Sequence, residues 1–106
     1  MGGMRFYSLD KLINLYDGYR AIFKIDQYNL ILLQIDGERY LLESHCPHRG
    51  HPLTESDVSA TYIHCPLHGY RFDIASGALI HATEELCRGL KTYELVYQTT
   101  EIGVML

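Results

Sequence analysis

Two short pairs of metal-ligating residues stand out. The first is Cys46-Pro47-His48; after sixteen intervening residues comes the second, Cys65-Pro66-Leu67-His68. A glycine follows each pair within two residues, Gly50 and Gly69. Each pair is compact enough for one loop to present both ligands to a single metal centre. Thiolates favour iron–sulfur clusters, zinc and Cu(I), whereas imidazole suits zinc, copper and iron. Two cysteines with two histidines therefore make one of two things. One is a closed tetrahedral zinc site; the other is a two-iron cluster with thiolates on one iron and imidazoles on its neighbour.

Rigid elements must deliver such ligands, and the pattern supplies strands. Tyr19, Ala21, Phe23 and Ile25 alternate with Arg20, Ile22 and Lys24, the period-two signature of a half-buried strand. The runs 30–35 and 39–42 flank Asp36-Gly37, a dipeptide suited to a type I′ turn, so a hairpin is expected there. This hairpin feeds directly into Cys46. A strand over 58–65 would deliver the second pair, with a return strand at 70–73 and a tight turn at Ala75-Ser76-Gly77. Residues 90–97 alternate as one further strand, Thr99-Thr100 turns, and 102–106 closes the sheet. Helical expectations are two single turns, one capped by Asp10 and running through Leu15, the other at Thr83 to Leu86. No internal repeat or linker is apparent. The chain reads as one all-β domain over 1–106, a small antiparallel sandwich or partial barrel.

Composition narrows the function classes. With 106 residues the chain is one domain's worth. A net charge of −4 gives no support to binding of nucleic acid or an anionic membrane. Three cysteines, with Cys87 lacking an obvious mate, argue against a disulfide framework and for a reducing compartment. No apolar run approaches the roughly 20 residues of a membrane span, and no secretory core is seen, so a soluble cytoplasmic protein is expected.

Extended outward, the two pairs carry a family pattern. His48-Arg49-Gly50-His51-Pro52-Leu53 follows the first cysteine; His68-Gly69-Tyr70-Arg71-Phe72-Asp73, ending at Gly77, follows the second. This resembles the signature of Rieske-type [2Fe–2S] proteins. The resemblance implies a β-sandwich base with a smaller cluster-binding β subdomain, about 43–80. It implies Cys46 and Cys65 on the inner iron of a [2Fe–2S] cluster, and His48 and His68 on the outer one. Gly50 and Gly69 are expected at positive φ, letting backbone N–H groups approach the sulfides.

High-potential members carry an extra cysteine in each ligand loop and a serine after the second His-Gly. Here those places hold other residues, Tyr70 among them, so the low-potential ferredoxin branch is the nearer match. A proline-bearing third loop is also missing, which makes 81–89 unusual. The function so implied is one-electron carriage, not catalysis: from a flavin-dependent reductase to a terminal oxidoreductase such as an oxygenase, by a protein whose size favours a monomer. A small Rieske-like subunit of a larger reductase, of the nitrite reductase type, is the alternative. A zinc-stabilised binding module is a third reading. His45, His51, His64 and His81 fall outside the motif. Cys87 reads as a semi-buried side chain, Asp73 as an anchor for its turn, and Tyr70 as a residue that could tune the cluster.

Overall fold

The computed structural model describes residues 3–47, 50–66 and 69–106. Its strands are β1 (Phe6–Lys11), β2 (Arg20–Ile25), β3 (Tyr28–Ile35), β4 (Glu38–Glu43), β5 (Asp57–Val58), β6 (Tyr62–His64), β7 (Arg71–Asp73), β8 (Leu79–His81), β9 (Thr92–Tyr93), β10 (Leu95–Gln98) and β11 (Glu101–Met105). Every pairing is antiparallel. Three sheets result, ordered β1-β11-β10, β2-β3-β4-β9 and β5-β6-β7-β8. Among the described residues no helix is long and apolar enough to cross a membrane.

The middle sheet is apolar on both faces, which explains the unbroken run Leu30-Ile31-Leu32-Leu33. Successive side chains of a strand point to opposite faces. Leu30 and Leu32 join Leu41, Tyr19, Ile102 and Val104 in the core shared with the first sheet. Ile31 and Leu33 join Leu42, Ile63, Phe72 and Ile74 in a second core, which also contains Cys46 and Cys65. The all-β sandwich expected from the pattern is therefore present, with β3 as its shared wall.

The hairpin between β3 and β4 has the expected turn: Asp36 and Gly37 both lie at positive φ, 50° and 81°. A type I′ turn needs this at both central positions. Asp17 reinforces it from outside, accepting hydrogen bonds from the Gly37 amide and the Gln34 side chain.

Four expectations are corrected. Residues 58–65 are a hairpin rather than one strand, because the Ser59 hydroxyl accepts from the amides of Thr61 and Tyr62 and folds the chain back. Residues 90–97 form two strands on different sheets, β9 on the middle one and β10 on the first, parting at Glu94. No helical turn forms at 83–86. Finally, 6–11 is a full strand, followed by a 3₁₀ turn at Leu12–Asn14 that no side chain caps. Asp10 instead accepts from the Lys11 amide, the Asn14 side chain and the Tyr19 hydroxyl.

Candidate metal centre

β4 runs into the first ligand loop, and the β6–β7 hairpin carries the second. Beneath different side chains the two loops have one backbone frame. The Cys46 amide donates to His51 O at 2.8 Å, and the Cys65 amide donates to Tyr70 O at 2.7 Å. The Gly50 amide donates back to Cys46 O at 2.7 Å, and the Gly69 amide to Cys65 O at 2.9 Å. Gly50 and Gly69 sit at φ 70° and 74°, a conformation that glycine adopts at little cost. His45 bridges Pro52 as His64 pairs with Arg71. Leu53 and Phe72 close each loop as fully buried apolar residues.

The second loop thus repeats the first nineteen residues on, through the shared Cys-Pro-x-x-Gly. Reading no internal repeat from the sequence missed this, because the flanking side chains differ and the histidines fall one place apart. One expectation needs adjusting as well. The positive φ values occur, but the glycine N–H groups are engaged by the cysteine carbonyls.

Cys46 and Cys65 are 2% and 1% exposed, and neither is half of a disulfide. Two buried thiols on matching loops, within one core, are a donor set suited to a thiolate-held cluster. His48 and His68, predicted as the other two ligands, lie outside the described residues.

Other candidates fall into place around this pair. His45 is exposed, with Nδ1 2.9 Å from the Ser44 hydroxyl. His51 is half-buried and contributes its carbonyl to the Cys46 frame. His64 is half-buried beside Asp57, at 3.7 Å, and His81 is exposed. Cys87 is half-buried against the core of the site, and burial pushes its thiol pKa up. Asp73 anchors its turn as expected, accepting from the Ser76 amide and hydroxyl at 2.8 Å each. These bonds hold its carboxyl below the usual range.

Tyr70 is fully buried, and its hydroxyl donates to the Glu85 carbonyl in the segment that follows β8. That contact joins the second loop to residues 81–89, an association that no sequence pattern marks.

Glu43, at the end of β4, fastens the exit of the same segment. Its carboxylate takes both terminal nitrogens of Arg88 and the Lys91 amide. Burial pushes the Glu43 carboxyl up, but Arg88 and the Lys91 amide outweigh this and leave it below its ordinary value. A depressed folded-state pKa contributes stability above the unfolded value, near 4.3, which is lost as pH falls through the folded one. The stability difference between wild type and Glu43→Gln should therefore be full at pH 6 and shrink below about pH 4.3. Denaturant titrations across that range check it; a difference that grows on acidification would contradict it.

The family model described as the Rieske [2Fe-2S] domain matches residues 6–94. The ferredoxin component of the naphthalene 1,2-dioxygenase system of Pseudomonas putida is 26% identical over 80 residues, 76% of this chain and 75% of that protein. The Sphingomonas yanoikuyae B1 ferredoxin structure aligns with a TM-score of 0.80 at 26% identity, covering 94% of this chain and 97% of that one. The ferredoxin of carbazole 1,9a-dioxygenase from Nocardioides aromaticivorans IC177 aligns at 0.79 and 27% identity, covering 93% and 95%.

Proposed function

The chain belongs to the Rieske [2Fe–2S] domain family, and from that premise we propose that it is the ferredoxin of an oxygenase system, taking one electron at a time from a flavin-dependent reductase. It is an electron carrier rather than a catalyst. When bound, the [2Fe–2S] cluster supplies reversible one-electron redox chemistry, at a potential that mixed Cys/His ligation sets above that of all-cysteine plant-type clusters.

The observation that carries the reading is the pair of matching loop frames. Each buries one cysteine and turns on a left-handed glycine. Cys46 and Cys65 would hold one iron, and His48 and His68 the other, within a cluster-binding subdomain spanning about 43–80. Backbone hydrogen bonds within each loop hold the two thiols on the inner side of the site. The core of Leu53, Ile63, Phe72 and Ile74 behind them excludes water on the inner side. A monomeric, cytoplasmic protein fits the three thiols and the modest size.

Support for an oxygenase as acceptor comes from relatives named as ferredoxin components of naphthalene and carbazole dioxygenases. The experiment is stopped-flow mixing of the reduced protein with an oxidised ring-hydroxylating oxygenase. Oxidation of the protein at a rate that saturates with oxygenase concentration is expected. Transfer no faster than to unrelated haem or flavin proteins would count against the assignment.

A further inference from the structure

We propose that Arg20 is a positioning residue: from the edge of the middle sheet it anchors the joint between the two ligand loops and so holds the first loop in shape. The consequence for the cluster rests on the ligand assignment proposed above. The anchor itself stands on contacts within this chain.

The joint is the stretch that leaves the first loop. The Leu53 amide donates to Ser44 O at 2.7 Å and closes that loop behind Cys46. A single 3₁₀ turn follows, Leu53–Glu55, with the Ser56 amide donating to Leu53 O at 3.2 Å. β5 starts at the next residue and pairs with β6, which leads to Cys65. One short turn therefore links both loops. The last carbonyls of a helical turn have no partners inside it and must find them elsewhere.

Arg20 supplies those partners. It opens β2, the edge strand of the middle sheet, where it pairs with Leu33. One of its nitrogens, Nη1, donates to Thr54 O at 2.5 Å and to Ser56 O at 3.0 Å. Each terminal guanidinium nitrogen carries two hydrogens, one for each carbonyl. A charged donor makes such bonds stronger than neutral ones.

Apolar packing also joins the middle and third sheets, with Ile31, Leu33 and Leu42 against Ile63, Phe72 and Ile74. Burial of that kind is non-directional. Two hydrogen bonds from one nitrogen, by contrast, fix where the joint lies. Beside them is a cleft of about 210 Å³ lined by Arg20, Leu33 and Gln34 on one side and Val58 of β5 on the other. Arg20 spans the two sheets at the edge where packing leaves this space.

The test compares cluster-loaded wild type with Arg20→Met and Arg20→Lys. Methionine keeps a long stem and removes the donor. Lysine restores one charged nitrogen, and one nitrogen makes both bonds. Hydrogen–deuterium exchange of the Leu53 and Ser56 amides, read by mass spectrometry, should be about tenfold faster in Arg20→Met. It should stay near wild type in Arg20→Lys, with the Cys65 and Gly69 amides unchanged in both. The paramagnetic resonance lines of the reduced cluster should broaden in Arg20→Met, since a loosened first loop gives a spread of ligand orientations. They should narrow again in Arg20→Lys.

Equal acceleration at Cys65 and Gly69 would mean general loosening and overturn the proposal. So would an Arg20→Lys variant that behaves like Arg20→Met, or resonance lines that stay narrow while Leu53 and Ser56 exchange faster. Purified protein holding zinc and no iron would overturn the electron-carrier reading instead. The exchange comparison would still decide whether Arg20 anchors the joint.

Discussion

Cys65→Ser is expected to yield protein with no bound cluster and a third sheet that no longer folds. Cys65 is 1% exposed, and its loop is closed by the hydrogen bonds from its own amide to Tyr70 O and from the Gly69 amide to Cys65 O. Serine keeps the size but not the thiolate that soft metals prefer. In small metal-binding domains, metal-binding energy is folding energy, on the order of 10 kcal/mol for structural zinc sites. That is comparable to the roughly 5–15 kcal/mol that stabilises a typical domain.

β5 to β8 have only two or three residues each, so they lack the pairing to persist alone once the cluster is lost. Iron content and visible absorption should fall to background. Limited proteolysis should concentrate in 57–81, with the β2–β3–β4 hairpins spared. Cys46→Ser should behave alike, because its loop has the same frame. Full iron occupancy in Cys65→Ser would refute the ligand assignment.

Gly77→Ala should be strongly destabilising, although it leaves the proposed ligands untouched. The glycine lies at φ 78°, and a Cβ there would stand 2.0 Å from the Leu90 carbonyl oxygen, a backbone atom that cannot swing aside. Left-handed backbone costs an alanine about 1–2 kcal/mol. Forcing atoms into a packed site adds about 1–3 kcal/mol. Together, roughly 2–5 kcal/mol would be lost, at about 4–8 °C of Tm per kcal/mol for a domain of this size. Gly18→Ala separates the two contributions. Gly18 has φ 96° with nothing within 4 Å of the added carbon, so only the conformational cost should appear. Thermal unfolding of both variants checks this. Similar, small losses would show that the Gly77 contact is readily relieved.

The burial of Cys46 and Cys65 on matching loops was legible in the sequence, where residue type and spacing mark them. Cys46 and Cys65 could be singled out because Cys-x-His and Cys-x-x-His, each with proline and glycine at fixed places, have few other uses. Asp36-Gly37 was legible for a local reason as well, since its turn depends on two adjacent φ values. Long-range choices were not. Nothing at Glu94 marks the point where one alternating run leaves the middle sheet for the first; the break shows only in the pairing of β9 with β4 and of β10 with β11. The fold-back at Ser59 depends on a hydroxyl caught by two amides, which alternation of apolar residues conceals. The polar stretch 83–86 suggests a helical turn, but Glu85 is held by Tyr70 and the exit of the segment, at Arg88, by Glu43, distant partners that outweigh weak local propensity. The likeness of the two ligand loops was hidden because hydrogen bonds, rather than side chains, make it.

Electron paramagnetic resonance on the chemically reduced protein, with iron and labile sulfide measured on the same sample, tests the central claim most directly. Two irons and two sulfides per chain, with a signal from one mixed-valence pair that is lost in Cys65→Ser, is the predicted result. A fully metal-loaded sample that stays silent after reduction, or one that holds a single zinc, would contradict it.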